Sequence, residues 1–155
     1  MIGSALFTSD SDEWSTPQAF YDLLDREFHF TLDPCATAEN AKCAKFYTKE
    51  DNGLDPFRWR YQVIFCNPPY SQIKEWTQVC WEATCHMGTT VVLLIPSRTD
   101  TKYWHRWIMR ASEVRFVRGR LKFGGATNSA PFPSAVAVFR HGHVGNPVMS
   151  AIERE

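Results

Sequence analysis

The run Thr89-Thr90-Val91-Val92-Leu93-Leu94-Ile95-Pro96 limits the possible folds more than any other segment. Five aliphatic residues follow one another with no polar alternation. A strand with one wet face would alternate, so this one must be buried on both faces, as in a parallel sheet. A chain with such a strand needs a layer of helices on each side of its sheet.

The rest of the sequence supplies those layers. "STPQAFYDLLDREF" predicts a helix with Thr16 as cap and Pro17 in its first turn, carrying an apolar stripe of Phe20, Leu23, Leu24 and Phe28. "FHFTLD" predicts a strand that stops at Asp33-Pro34, and "TAENAKCAKF" a short helix. "YQVIFC" is a buried strand, "SQIKEWTQVCWEATCHMG" a helix from Ser71 to near Gly88, and "DTKYWHRWIMR" a helix capped by Asp100. "EVRFV" and "SAVAVF" are two closing strands joined by a basic, Gly- and Pro-containing loop. The expected class is α/β, mostly parallel, with an antiparallel C-terminal strand pair and helices on both faces. One domain is expected over residues 1–140, with 141–155 as a loosely held tail. Open sheets of this kind bind ligands beyond the carboxyl ends of their strands, which places Asp33, Asn67, Pro96 and the segment after Val117 around one crevice.

Composition fits a globule of ordinary core size: 155 residues, 44% hydrophobic and 22% charged. No apolar run approaches a membrane span, and the first residues do not resemble a secretory signal. With five cysteines and no C-x-x-C, the expectation is reduced thiols in a cytoplasm. Cys80, Cys85 and His86 fit no common zinc spacing, so no metal is expected. The net charge is zero but divided: residues 1–57 carry −7 and residues 58–155 carry +7. That imbalance points to an anionic partner for the second part.

The strand "VIFC" runs into Asn67-Pro68-Pro69-Tyr70. A plain turn would account for Asn-Pro. The four residues can also do chemistry. Proline offers a carbonyl without an N–H and fixes φ, and asparagine offers a side-chain carbonyl. Two such rigid acceptors can bind both hydrogens of an aromatic amine and stabilise positive charge developing on its nitrogen. Tyr70 can stack on the ring that carries the amine.

N/D-P-P-Y/F at a strand end resembles the catalytic motif of S-adenosylmethionine-dependent amino methyltransferases. With "WSTP", "FTLDPCATAENAK", "FYTKEDNGL", "CNPPYS", "IPSRTDTKYWH", "RGRLKFG" and "APFPSAVAVF" in that order, the chain resembles the small phage-type, Dam-like DNA N6-adenine methyltransferases from about Trp14 to Phe139. The resemblance implies a compact Rossmann-like sheet with S-adenosyl-L-methionine at its strand ends and no metal. It implies catalytic Asn67, Pro68, Pro69 and Tyr70, and methyl transfer to N6 of an adenine flipped out of double-stranded DNA. It places Trp14, Thr16, Pro17, Asp33, Pro34, Cys35, Asn40, Asp51 and Asn67 around the cofactor, and Tyr70 and Phe132 on the target base.

The glycine-rich first loop of the broad methyltransferase superfamily is absent from "LDPCATAEN", which leaves Glu39 and Asn40 as candidates for the ribose, Asn40 preferred. Arg98, Lys102, Arg115, Arg118, Arg120 and Lys122 are the expected DNA contacts, mainly to phosphate. A short site such as GATC and protection of phage DNA from host restriction are further family expectations, and a chain this small could act as a monomer or as a weak homodimer. The same motif also serves methyltransferases of RNA adenine and protein glutamine. A DNA-binding protein without catalysis is the reading from a different class.

Overall fold

The computed structural model describes residues 15–125 and 129–155. Five strands form one sheet: β1 (Val63–Cys66), β2 (Thr90–Pro96), β3 (Glu113–Val117), β4 (Ser134–Arg140) and β5 (Val148–Ile152), in spatial order β1-β2-β4-β3-β5. β2 runs parallel to β1 and antiparallel to β4, and β3 runs antiparallel to β4 and parallel to β5. Four strands therefore share one direction and β4 alone opposes them. Because β4 lies inside the sheet, two of the four pairings are antiparallel, so the expected mostly parallel sheet is met only in part. The closing antiparallel pair is present as β3 and β4.

The double burial of β2 is complete. Val91, Leu93 and Ile95 face one core cluster, Val92 and Leu94 the other, and all five have no exposed surface. Each such side chain contributes about 1.5–3 kcal/mol by leaving water. Helix α1 (Gln18–Phe28) covers one face through Phe20, Tyr21 and Leu24. Helices α2 (Ile73–Ala83) and α3 (Lys102–Arg106) cover the other through Ile73, Trp76, Cys80, Tyr103 and Trp104.

Several boundaries differ from the sequence reading. Thr16 does not cap α1, and Pro17 holds the N-cap position with no side-chain cap bond. Thr101, not Asp100, caps α3 by accepting from the Trp104 N–H at 3.4 Å. The strand expected in "FHFTLD" shrinks to single parallel bridges, Leu32 to Ile64 and Asp33 to Phe46. His29 leaves α1 in the left-handed conformation and Pro34 cannot donate to a ladder, so little chain remains to pair. The short helix expected in "TAENAKCAKF" is one turn. The Thr37 N–H donates to Asn40 Oδ1 at 2.7 Å and the Asn40 N–H to Thr37 Oγ1 at 3.1 Å, so side chains take the donors a helix would use.

The tail also needs correction. Residues 148–152 are not loose: they form β5, registered from Glu113↔Val148 to Val117↔Ile152. A run of exposed residues beyond a turn looked like a tail because a strand at the sheet edge needs little apolar surface.

Candidate active site

The strand directions bring one set of ends together. The carboxyl ends of β1, β2, β3 and β5 lie on the same side as the start of β4. Asn67, Ser97, Arg118 and Pro133 each stand one residue outside a strand at that side. At the β1 end, Cys66 closes the ladder because Pro68 and Pro69 cannot extend it. Pro69 is extended and leads into a single 3-10 turn, Tyr70–Gln72, which feeds α2.

A cavity of about 680 Å³ opens beside this turn. That size suits a nucleoside-sized ligand. Its walls are the Asp33–Asn40 loop, the 48–54 turn, Thr16 and the Asn67–Pro69 corner. Of the residues expected around a cofactor, Thr16, Asp33, Pro34, Cys35, Asn40 and Asn67 line it. Pro17 is not on its wall, and Trp14 lies outside the described residues.

Asp33 is a buried carboxyl on the cavity wall. It is 5% exposed. Burial pushes its carboxyl up to about 6, against the N–H groups of Cys35 and Lys42 and the charge of Lys42, which favour the ionised form. A buried carboxylate on a cavity wall is a fitting partner for a ligand ammonium group. Asn40 uses its Oδ1 on the Thr37 N–H, which leaves its amide N–H₂ as the side chain's donor group.

Asp51 is corrected. Its carboxylate turns back to the Thr48 N–H at 2.8 Å and the Thr48 hydroxyl at 3.0 Å, and these bonds hold it below the ordinary carboxylate range. It does not line the cavity; its neighbours Glu50 and Asn52 do. A D-N pair in a turn gave no way to tell which residue faced inward. Arg58 fixes the turn from outside, donating to the carbonyls of Asp51 and Asn52 while its guanidinium lies 3.9 Å over the Tyr47 ring.

Gly53 was not singled out by the sequence. A Cβ there would stand 2.0 Å from the Pro34 carbonyl oxygen and 3.2 Å from the Trp76 ring. The glycine lets the 48–54 turn pack onto the Asp33-Pro34 loop, and Trp59 secures it by donating from Nε1 to the Gly53 carbonyl at 2.7 Å. Trp76 also lines the cavity and stacks on Trp59 with centroids 6.1 Å apart.

Asn67 donates from Nδ2 to Thr16 Oγ1 at 3.0 Å. That bond ties the segment before α1 to the end of β1 across 51 residues of sequence. It also orients the amide, since Nδ2 is committed to Thr16 and Oδ1 therefore points elsewhere. Pro68 is buried. Tyr70 meets Phe132 edge to face, centroids 5.4 Å apart, and Phe132 leans on Phe123 at 6.0 Å. The two residues expected on a target base are thus neighbours. Burial holds the Tyr70 hydroxyl protonated well past the ordinary range, partly opposed by the charge of Arg98, and raises the Tyr103 hydroxyl against a hydrogen bond with Thr101 and the same Arg98 charge.

The basic residues divide into two groups. Arg118, Arg120 and Lys122 are exposed and follow β3, while Arg98 and the exposed Lys102 follow β2 at the same end of the sheet. Arg115 departs from the expected DNA set. It pairs with Glu27 at 2.7 Å and Glu113 at 3.1 Å, its side chain 14% exposed, and its guanidinium lies 5.3 Å over the Phe28 ring. Burial raises the Glu113 carboxyl, but Arg140 and Arg115 outweigh it and hold the group low. Arg115 therefore clamps α1 to the sheet.

Cys35 and Cys66 stand with their sulfurs 3.7 Å apart, both thiols raised by burial. All five cysteines are free. Among the described residues no group of three His, Cys, Asp or Glu side chains is placed to hold a metal, and no helix is long and apolar enough to cross a membrane.

Fold and site together define an α/β protein with a nucleoside-sized cavity and an Asn-Pro-Pro-Tyr corner at its strand ends. Residues 3–144 match the family described as DNA N-6-adenine-methyltransferase (Dam), and the chain belongs to that family. It is 28% identical over 111 residues to the DNA N-6-adenine-methyltransferase of Escherichia phage T1, a match covering 71% of this chain and 46% of the relative. The chain thus spans about half the length of that phage protein. It is also 38% identical over 66 residues, 38% of this chain and 71% of the relative, to YfdM of Escherichia coli (strain K12), which carries a provisional methyltransferase name.

Proposed function

We propose that this protein transfers a methyl group from S-adenosyl-L-methionine to N6 of an adenine flipped out of double-stranded DNA. The observation that carries the reading is the position of Asn67. Its side chain lines the cavity, its amide is oriented by Thr16, and Tyr70 three residues on meets Phe132. In this reading the cofactor side and the base side would meet at one residue.

Asp33 would hold the cofactor's ammonium group, Asn40 would donate to its ribose, and Trp76 would pack against its apolar surface. When bound, S-adenosyl-L-methionine supplies the electrophilic methyl group. The Asn67 Oδ1 and the Pro68 carbonyl would accept from the two N6 hydrogens and so stabilise the charge that develops on nitrogen. Fixing the amine in line with the methyl group supplies much of the acceleration, because orientation has already been imposed before reaction. Tyr70 and Phe132 would hold the ring of the extruded base. Their present edge-to-face contact means that one of them must turn or separate to admit it. Arg98, Lys102, Arg118, Arg120 and Lys122 would contact phosphate. Action at a short site such as GATC as a monomer or weak homodimer, protection of phage DNA from restriction, and a cytoplasmic location belong to the same proposal. The site and the protection rest on the family, the location on the cysteine usage, and the oligomeric state on the chain's small size.

The test is methyl transfer from labelled S-adenosyl-L-methionine to unmethylated duplex DNA, followed by digestion to nucleosides. Label in N6-methyldeoxyadenosine is expected, and Asn67→Ala should remove it while cofactor binding remains measurable. Label appearing only with RNA or protein acceptors, or full activity in the variant, would overturn the assignment.

A further inference from the structure

The family match ends at residue 144, and β5 begins at Val148. The strand beyond the match buries little: Val148 is 66% exposed and Met149 59%, and only Ile152 packs on the core as a partly buried residue. A strand that adds so little to the core contributes mainly its ladder with β3, and bonds at its end reach the basic arm. The Arg118 N–H donates to the Ile152 carbonyl at 2.9 Å, which extends the β3–β5 ladder into the basic arm. Arg154 donates from Nη1 to the Arg120 carbonyl at 3.2 Å. Its guanidinium lies where a Gly119 side chain would be, with Nε 3.2 Å and Cζ 3.3 Å from the position of a Cβ. Gly119 has φ +76°, so a glycine suits that position twice over. Arg118 and Arg120 are thus each bonded to the 152–154 segment, Arg118 by the end of β5 and Arg120 by Arg154 just beyond it. Glu153 meets Arg118 at 3.4 Å, both side chains mostly exposed.

We propose that β5 with Arg154 positions the 118–122 arm on DNA and adds a further cation to its phosphate-binding surface, while Glu153 occupies Arg118 until a phosphate displaces it. The proposal rests on the DNA reading above. Arg154 acts in two ways: it fixes the arm's backbone through the Arg120 carbonyl, and it adds a charge beside Arg118 and Arg120. Glu153 acts oppositely, since its carboxylate must be displaced before Arg118 can take a phosphate. Adjacent residues should therefore have effects of opposite sign on DNA binding.

The experiment is binding of the full chain to a duplex oligonucleotide over a salt series, with cofactor binding measured in parallel. Arg154→Gln should weaken DNA binding several-fold and lower the salt slope by about 1. Glu153→Gln should tighten it a few-fold. Arg154→Lys should keep the slope and lose part of the affinity, because a lysine retains the charge without the planar fork. Cofactor affinity should not move in any of them. A purely structural role for the strand would shift both Gln variants in the same direction and change cofactor binding as well, and that result would overturn the proposal. The control is Arg118→Ala with Arg120→Ala. If it weakens DNA binding while Arg154→Gln does not, the strand's role falls and the arm stands. If the control also binds like wild type, the arm itself is not on the DNA.

Discussion

Asp33→Asn should stabilise the empty protein and weaken its cofactor binding. The magnitude follows from the buried carboxyl. Burial raises it from 3.8 to about 6, with the Cys35 and Lys42 N–H groups opposing. Holding the charge above that pH costs about 3 kcal/mol relative to an exposed carboxylate. The side chain is too deeply buried for solvent to screen much of this. Asparagine removes the charge and keeps one oxygen for the Cys35 N–H, at a loss of about 1 kcal/mol for any N–H left facing its Nδ2. The expected gain is about 2 kcal/mol at pH 8, which moves a urea midpoint by about 1 M.

The sign with pH is fixed by the same numbers. The wild-type penalty is fully present above about 6 and fades as pH falls toward 3.8, because the folded state then binds the proton more readily than the unfolded one. The difference between variant and wild type should therefore shrink from pH 8 to pH 5, whatever other carboxylates do in common to both. Cofactor affinity should move the other way. Loss of a charge-assisted bond to the ammonium costs about 1.5–3 kcal/mol, roughly 10- to 100-fold in affinity at pH 8. Wild-type affinity should decline below about pH 6, while the variant's should stay flat. Urea unfolding and calorimetric cofactor titration at both pH values decide the matter. A variant less stable than wild type at pH 8, or a stability gap that does not change with pH, would refute the buried-charge reasoning.

Gly53→Ala should displace the Pro34 loop, since the added methyl would stand 2.0 Å from a backbone oxygen; cofactor affinity should fall at least about tenfold with the sheet intact by circular dichroism, a loss of about 1.4 kcal/mol. Thr16→Val should remove the acceptor that Asn67 Nδ2 meets at 3.0 Å and lower kcat by roughly 2- to 10-fold, the range set by about 0.5–1.5 kcal/mol for one orienting hydrogen bond. Thr16→Ser should restore most of the activity, and a loss confined to cofactor KM would show that the hydroxyl serves the cofactor alone. Arg115→Ala should destabilise the fold by about 1–2 kcal/mol in urea unfolding, moderated by the exposure of Glu27, and leave the salt slope of DNA binding unchanged.

The sequence made the layers legible because burial on both faces leaves an unambiguous mark: β2 reads as five aliphatic residues and nothing else. The Asn-Pro-Pro-Tyr corner was legible because its residue types are poor for any regular element and apt for one chemistry. Tertiary bonding was not legible. Thr16 has the residue type and position of a helix cap, yet its hydroxyl takes a donor from Asn67. Arg115 sits in a basic cluster in sequence, but strand alternation turns it toward Glu27 on a different element, while Arg118 and Arg120 pass beyond the strand end. Glu50 and Asn52 were passed over for Asp51 because turn residues next to one another differ in direction, not in type.

The same distinction explains how a chain with no glycine in its Asp33–Asn40 loop can still form a cavity there. A glycine-rich loop lets the backbone approach a ligand closely. Here the close approach is between two protein segments instead, with Gly53 against the Pro34 carbonyl and the Thr37–Asn40 turn closed by its own side chains. The loop is stiffened from behind by the 48–54 turn, which Trp59 and Arg58 hold in turn. The glycine that matters here lies in the supporting turn and not in the loop. A compact domain that lacks the usual loop chemistry should therefore lose cofactor binding through its supporting turn as readily as through the residues that touch the ligand. Gly53→Ala, a change on the protein side of the wall, tests that directly.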